Sequence, residues 1–230
     1  MIDVQRSPSV PASLERRRGW SGEDVITSLH RDFLGKCYLC GRLLRPGNIV
    51  VDHRFPRSRD PEGLHHHDWQ NLFPACAQCN VRRGDKYPDS GGMLSPGEGI
   101  ETELVQHAEA SPNGLGVTCR FDARDAQSQQ AVATAAELAR LHDPDSTTTF
   151  RARANTNDLL TAIRTYYAED VHPLEVDVLI LRRKRAKGQT YAPADLRRAE
   201  RDLRAAVSRR APYTMLIRSL VGPSLDDLFD

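Results

Sequence analysis

Two cysteine pairs restrict what this chain can fold into more than any other feature. Cys37-x-x-Cys40 and Cys76-x-x-Cys79 stand 35 residues apart. A C-x-x-C turn aims two thiolates at one point, and two such turns complete the tetrahedral sulfur set that Zn²⁺ prefers. With all four ligands supplied by protein, no coordination position stays open, so the expected role of the ion is structural. Such a site closes the intervening segment at its base, and this segment holds too few apolar residues to close itself. Unrelated buried thiols and a redox C-x-x-C are the competing readings. The doubling of the motif, with Tyr38-Leu39 and Ala77-Gln78 between the cysteines, argues against both. Cys119 stands alone and reads as a small buried apolar residue.

Inside the closed segment, Ile49-Val50-Val51 reads as a strand that runs on into Asp52-His53. Adjacent residues on a strand point to opposite faces, so one of the two can hold a metal while the other faces a reacting water. Asn71 follows in Asp68-Trp69-Gln70-Asn71-Leu72. Asn80 comes directly after Cys79, and Asn80-Val81-Arg82-Arg83 should open a short helix. Taken singly, Asp52 reads as a local cap or ion-pair partner, His53 as a surface histidine and Asn71 as a turn residue. Their spacing from the cysteines is what groups them. His65, His66 and His67 read as a polar loop rather than a second metal site. Arg54, Arg57 and Arg59 flank the strand, either as phosphate contacts or as a solvated loop.

Asp52-His53, Asn71-Leu72 and Cys76-x-x-Cys79-Asn80, bracketed by Cys37-x-x-Cys40, together resemble the HNH endonuclease family over about residues 36–87. The resemblance implies a ββα-metal fold, two short antiparallel strands and a helix around one divalent ion. It makes His53 the general base for the attacking water, a task suited to a neutral imidazole near pH 7. It makes Asp52 and Asn80 oxygen ligands of Mg²⁺, with Mn²⁺ as the alternative, and Asn71 the residue that orients His53. Products would carry 5′-phosphate and 3′-hydroxyl ends. Arg83 stands where many members have Lys, and keeps the charge expected of a phosphate contact. Asn80 stands where other members have His, which leaves the metal preference open.

The flanks are read more coarsely. Hydrophobic residues are 39% and charged residues 27% of the chain, a lean core-forming composition that suits surfaces needing a partner. Net charge is only +1, but it is polarised. Residues 181–211 hold eleven Arg and Lys against three Asp and Glu, and residues 91–175 hold six against thirteen. The basic stretch is either a nucleic-acid footprint or a solvated helix face. No apolar run is long enough to span a membrane, and the polar, Arg-rich start has no signal-peptide core, so the cytoplasm is the expected location.

The expected fold class is α+β, a ββα-metal HNH core with a structural four-cysteine zinc site, embedded in a mainly helical protein. Residues 1–35 read as an arm and a helix capped by Ser21, residues 36–90 as the nuclease core, and residues 91–230 as a helical region for substrate or partner. That region should begin with a loop over residues 89–100 and hold short strands within Leu115–Phe121. Helices are expected over Gln127–Leu141, Asn157–Tyr167, Leu174–Arg185 and Pro193–Ser208, followed by a short apolar segment over Ala211–Leu220. Pro11-x-x-Leu14, Leu29-x-x-x-Phe33-x-Gly35-Lys36-Cys37 and Ala211-Pro212-Tyr213 are similar to PtuB-type nuclease subunits of Septu anti-phage systems, some of them linked to retrons. That similarity implies an ABC- or OLD-type ATPase partner. The leading function is DNA hydrolysis. A ribonuclease acting on an RNA such as tRNA, and a zinc-dependent nucleic-acid-binding module without catalysis, are the alternatives.

Overall fold

The computed structural model describes residues 1–17, 19–88, 92–97, 99–110 and 116–230. Helix α1 (Ala12–Glu15) and α2 (Glu23–Asp32) lead into the first cysteine pair. Strands β1 (Val50–His53) and β2 (Leu72–Ala75) pair antiparallel, with Asp52 opposite Phe73 and His53 opposite Leu72. Helix α3 (Ala77–Arg83) follows at once. A one-turn helix α4 (Ile100–Glu103) opens the second hairpin, β3 (Leu104–Ala110) against β4 (Val117–Ala123). The remainder is helical: α5 (Gln129–His142), α6 (Phe150–Tyr166), α7 (His172–Ala186), α8 (Pro193–Ala206) and α9 (Thr214–Leu220). A mixed α+β fold with a small ββα unit inside a largely helical body is therefore what the chain adopts.

Local chemistry explains most boundaries. Ser128 caps α5, its hydroxyl accepting from the Ala131 N–H at 3.3 Å. Thr149 caps α6 through the Ala152 N–H, and so α6 starts seven residues before the expected Asn157. Ser21 caps nothing. Gly22 occupies the N-cap of α2, and Asp24 turns back to accept the Ser13 N–H at 2.9 Å, tying α1 to α2. Strand β3 pairs with β4 although its sequence, with Gln106, His107 and Glu109, carries little strand signal. Leu115, and Asp89, Ser90, Gly91 and Glu98 within the expected 89–100 loop, lie outside the described residues, as does Arg18.

The N-terminal stretch is not a free arm. Met1, Ile2 and Val4 are buried, Gln106 Nε2 donates to Met1 O at 2.7 Å, and Trp69 Nε1 donates to Ser7 O at 3.1 Å. Arg6 lies over Trp69, its Cζ 4.2 Å from the ring centroid. The apolar residues between the charges decide this segment, and burying them outweighs the freedom of an extended chain.

One apolar cluster joins the ββα unit to the helices, from Leu29 and Phe33 through Leu72 and Phe73 to Leu138, Ile163 and Leu216. Two arginine-centred clamps add to it. Arg82 on α3 donates to Leu141 O at 2.7 Å and Arg140 O at 2.6 Å, the open carbonyl end of α5. Arg182 joins α7 to Glu200 on α8 at 2.8 Å and to Asp227 at 2.7 Å. Its neighbours Arg183, Lys184 and Arg185 are solvated or nearly so.

His142 closes α5 inside this core, its Nδ1 donating to Leu138 O at 2.8 Å and its ring 4.7 Å from Phe121. Burial pulls its imidazole down to about 4. The unfolded chain takes up this proton near pH 6.5 and the folded chain only near 4, so stability falls as pH drops through that window. Thermal melts should therefore lose stability between about pH 6.5 and 4.5, by roughly 1–3 kcal/mol from this group. His142→Leu should remove this group's share of the slope; an unchanged slope in that variant would assign the acid sensitivity elsewhere.

Candidate nuclease site

The four cysteine sulfurs converge. Cys37, Cys40, Cys76 and Cys79 are all buried, and their Sγ atoms lie within 4.8 Å of one another. Gly41 (φ +74) closes the first turn, its N–H bonding to Cys37 O at 2.9 Å. Cys76 is the N-cap of α3 and accepts the Cys79 N–H on its sulfur at 3.4 Å. Hydrogen bonds from Cys37, and then from Cys40 and Cys79, push the Cys76 thiol far down, while hydrogen bonds within the same cluster push those of Cys40 and Cys79 up. Four converging, water-excluded sulfurs fit a structural zinc. Among the described residues this is the one group of three or more His, Cys, Asp or Glu side chains close enough to share an ion, and His65, His66 and His67 form no such set. Cys119 lies apart in β4, its thiol pushed up to about 12 by burial.

The cluster orders the hairpin around it. Tyr38 N–H bonds to Pro74 O at 2.9 Å, locking the first turn to β2. The second turn launches α3 directly from the end of that strand. Arg83, one turn beyond Asn80 on the same helical face, thereby reaches β1. Its Nη1 lies 2.9 Å from Asp52 Oδ1 and 3.1 Å from both Asp52 Oδ2 and His53 O. Its Nη2 donates to Arg54 O. Tyr38 OH donates to Asp52 Oδ2. Burial pushes the Asp52 carboxyl up against the pull of Arg83 and Tyr38. Arg83 is only 1% exposed, so its guanidinium serves the strand and not a surface-bound phosphate.

His53 points to the other face. Its Nε2 lies 3.1 Å from His66 O. A carbonyl only accepts, so Nε2 carries the proton and Nδ1 keeps its lone pair. Burial pulls this imidazole down to about 4, opposed by the bond to His66 and reinforced by Arg57, His66 and His67, so the ring is neutral at pH 7. Asn71 does not bond to His53 itself. Its Oδ1 accepts from Phe55 N at 2.7 Å, and its Nδ2 donates to Phe55 O and His65 O, both at 3.1 Å. It thus pins the strand exit to the loop that presents His66 O. Asp60 tightens the same loop, accepting from Leu64 N at 3.0 Å and His65 N at 2.6 Å.

Asn80 is half-buried, and its side chain has no hydrogen-bond partner among the described residues. Arg54 donates to Met93 O at 2.8 Å, which folds its head onto the protein. Arg57 is exposed and stacks on Trp20, 4.6 Å from the ring centroid. Trp20 and the His66 carbonyl were not legible as site components. Trp20 sits seventeen residues before the first cysteine, and any residue type supplies a carbonyl.

Residues 37–86 match the family model of the HNH endonuclease. That segment of the chain is an HNH domain, a nuclease-family unit carrying its cysteine cluster, and the match spans fifty of 230 residues. No curated protein and no solved structure matches the chain.

Two outcomes follow. Purified protein should carry about one zinc per chain, and Cys76→Ser should lose it and melt roughly 10 °C or more lower; unchanged zinc content would refute the cluster. Arg83→Ala leaves Asp52 buried without its cation and should cost about 3–5 kcal/mol in urea unfolding, with Arg83→Lys costing less. A loss within about 0.5 kcal/mol would place Arg83 at the surface instead.

Proposed function

We propose that this chain is a divalent-metal-dependent HNH endonuclease acting on DNA. The observation that carries the reading is His53, a neutral imidazole whose Nε2–H is fixed by the His66 carbonyl while Nδ1 stays open. In that state Nδ1 accepts the proton of a water as its oxygen attacks phosphorus. The bond to His66 O then helps disperse the positive charge that the ring acquires.

The residues beside it suit a hard cation. A carboxylate offers about four acceptor positions; Arg83 and Tyr38 take three on Asp52, leaving one on Oδ1. The Asn80 amide lies on the face of α3 that Arg83 turns to Asp52. One or two protein oxygens suffice for Mg²⁺ or Mn²⁺, which keep several waters. Bound there, the ion would neutralise charge on the phosphate and the leaving 3′-oxygen. The division of labour is then a zinc that holds the frame, Asp52 and Asn80 for the second ion, His53 for the proton and Asn71 for the loop that orients His53.

A partner is supported by two features. Val176, Leu179 and Ile180 form a partly exposed apolar stripe on α7. The similarity of the 29–37 and 211–213 segments to PtuB-type subunits points to an ABC- or OLD-type ATPase in anti-phage defence. Those segments lie near each other in the fold: Tyr213 N–H bonds to Gly41 O at 3.0 Å, just past the first segment, and Lys36 Nζ donates to Thr214 Oγ1 at 2.7 Å, just past the second. An RNA substrate uses the same chemistry, and base contacts decide between the two.

The test is cleavage of supercoiled plasmid, single-stranded DNA and total tRNA with Mg²⁺ or Mn²⁺, with and without an ATPase encoded next to the gene. His53→Ala should slow cleavage by at least about a hundredfold while zinc content and melting temperature persist. Wild-type rates in that variant would sink the proposal, and cleavage of tRNA alone would move the substrate to RNA.

A further inference from the structure

The wall beside His53 is built by a residue outside the HNH segment. Trp20 enters the site just after Gly19, whose φ of +142 lies where side chains are strained. The indole meets the rings of His53, His66 and His67 edge-on, with centroids 5.4, 6.0 and 6.0 Å away. Across its face lies the Arg57 guanidinium, 4.6 Å from the ring centroid. Trp20 is half-buried and Arg57 is exposed.

Three properties single out this pair. Among the described residues, Arg57 has no carboxylate or carbonyl partner, whereas Arg83 is spent on Asp52 and Arg54 on Met93 O. The indole it lies over packs against the His53 ring, so it stands on the reacting side of the strand. Stacking uses the face of a guanidinium and leaves its N–H donors free in the plane, the geometry that grips phosphate oxygens. An exposed arginine normally samples many rotamers. Here the indole offers it a face to rest on, 4.6 Å from the ring centroid.

We propose that Arg57 binds a backbone phosphate of the substrate strand next to the scissile bond, and that Trp20 is the positioning residue that holds it there. This rests on the nuclease reading for its substrate class, a phosphodiester chain, and predicts contact with the backbone and not with a base edge. It also makes the N-terminal segment part of the site, so the HNH segment alone is incomplete.

The experiment measures binding of labelled single-stranded DNA, duplex DNA and RNA to the zinc-loaded full chain without added divalent ion, across a salt series. Arg57→Ala should weaken binding about tenfold and lower the salt slope by about one. Trp20→Leu should weaken it several-fold, yet add nothing in the Arg57→Ala background. Trp20→Phe, which restores a flat ring, should recover most of the loss. Arg57→Lys sits at an exposed position where folding is not at stake, and should also bind several-fold more weakly, because an ammonium has no fork to stack or grip with. Unchanged binding by Arg57→Lys, or a Trp20→Leu loss that adds in full to Arg57→Ala, overturns the proposal. Plasmid cleavage by the wild type separates the two readings. Coupled binding without cleavage removes the nuclease and keeps the contact, and cleavage without coupling does the reverse. Absence of binding to all three nucleic acids overturns the contact, and cleavage alone then decides the nuclease reading.

Discussion

Four buried sulfurs are the constraint on which this structure depends. The segment between the cysteine pairs contains a four-residue strand, a loop with three histidines and a second four-residue strand. Nothing that short and polar holds its own shape in water. Drawing both C-x-x-C turns to one point fixes where β2 ends and where α3 begins, because Cys76 is the last residue before the helix and its N-cap. From there the helical repeat carries Arg83 onto Asp52. Metal geometry thus becomes side-chain geometry in a single turn of helix.

The strand β1 then divides the chemistry. Asp52 faces a buried, charged interior with Arg83 and Tyr38, where a carboxylate without its cation would be costly. His53 faces an aromatic wall with Trp20 and His66, where burial keeps the ring neutral. The two environments are opposite, yet they belong to adjacent residues, and a two-residue repeat is the one backbone pattern that permits this. The same buried arginine bonds to the carbonyls of His53 and Arg54, so the strand exit and its charge are set together.

Much of the site was legible because it is written in residue types with few substitutes. Thiolates at C-x-x-C spacing and an Asp-His dipeptide after a β-branched run each carry chemistry that few other residues supply. What escaped notice lies where type says little. Arg83 reads as a surface cation until α3 turns it inward. Asn71 acts on a loop, one residue removed from His53. His66 contributes a backbone oxygen. In the fold, α5, α7 and α8 were visible in the sequence, but the start of α6 depended on Thr149, a cap set well ahead of the expected Asn157. Strand β3 owes its existence to pairing with β4, and the burial of Met1, Ile2 and Val4 to a surface assembled from distant residues.

The central claim is that two metals serve two ends, a zinc that makes the frame and a hard cation that Asp52 and Asn80 hold for chemistry. Anomalous diffraction from zinc-loaded crystals soaked in Mn²⁺, recorded at both absorption edges, tests it most directly. The account predicts a zinc peak among the sulfurs of Cys37, Cys40, Cys76 and Cys79, and a separate manganese peak between Asp52 and Asn80. A manganese peak confined to the cysteines, or none beside Asp52 while Arg83 and Tyr38 still close its carboxylate, would contradict it.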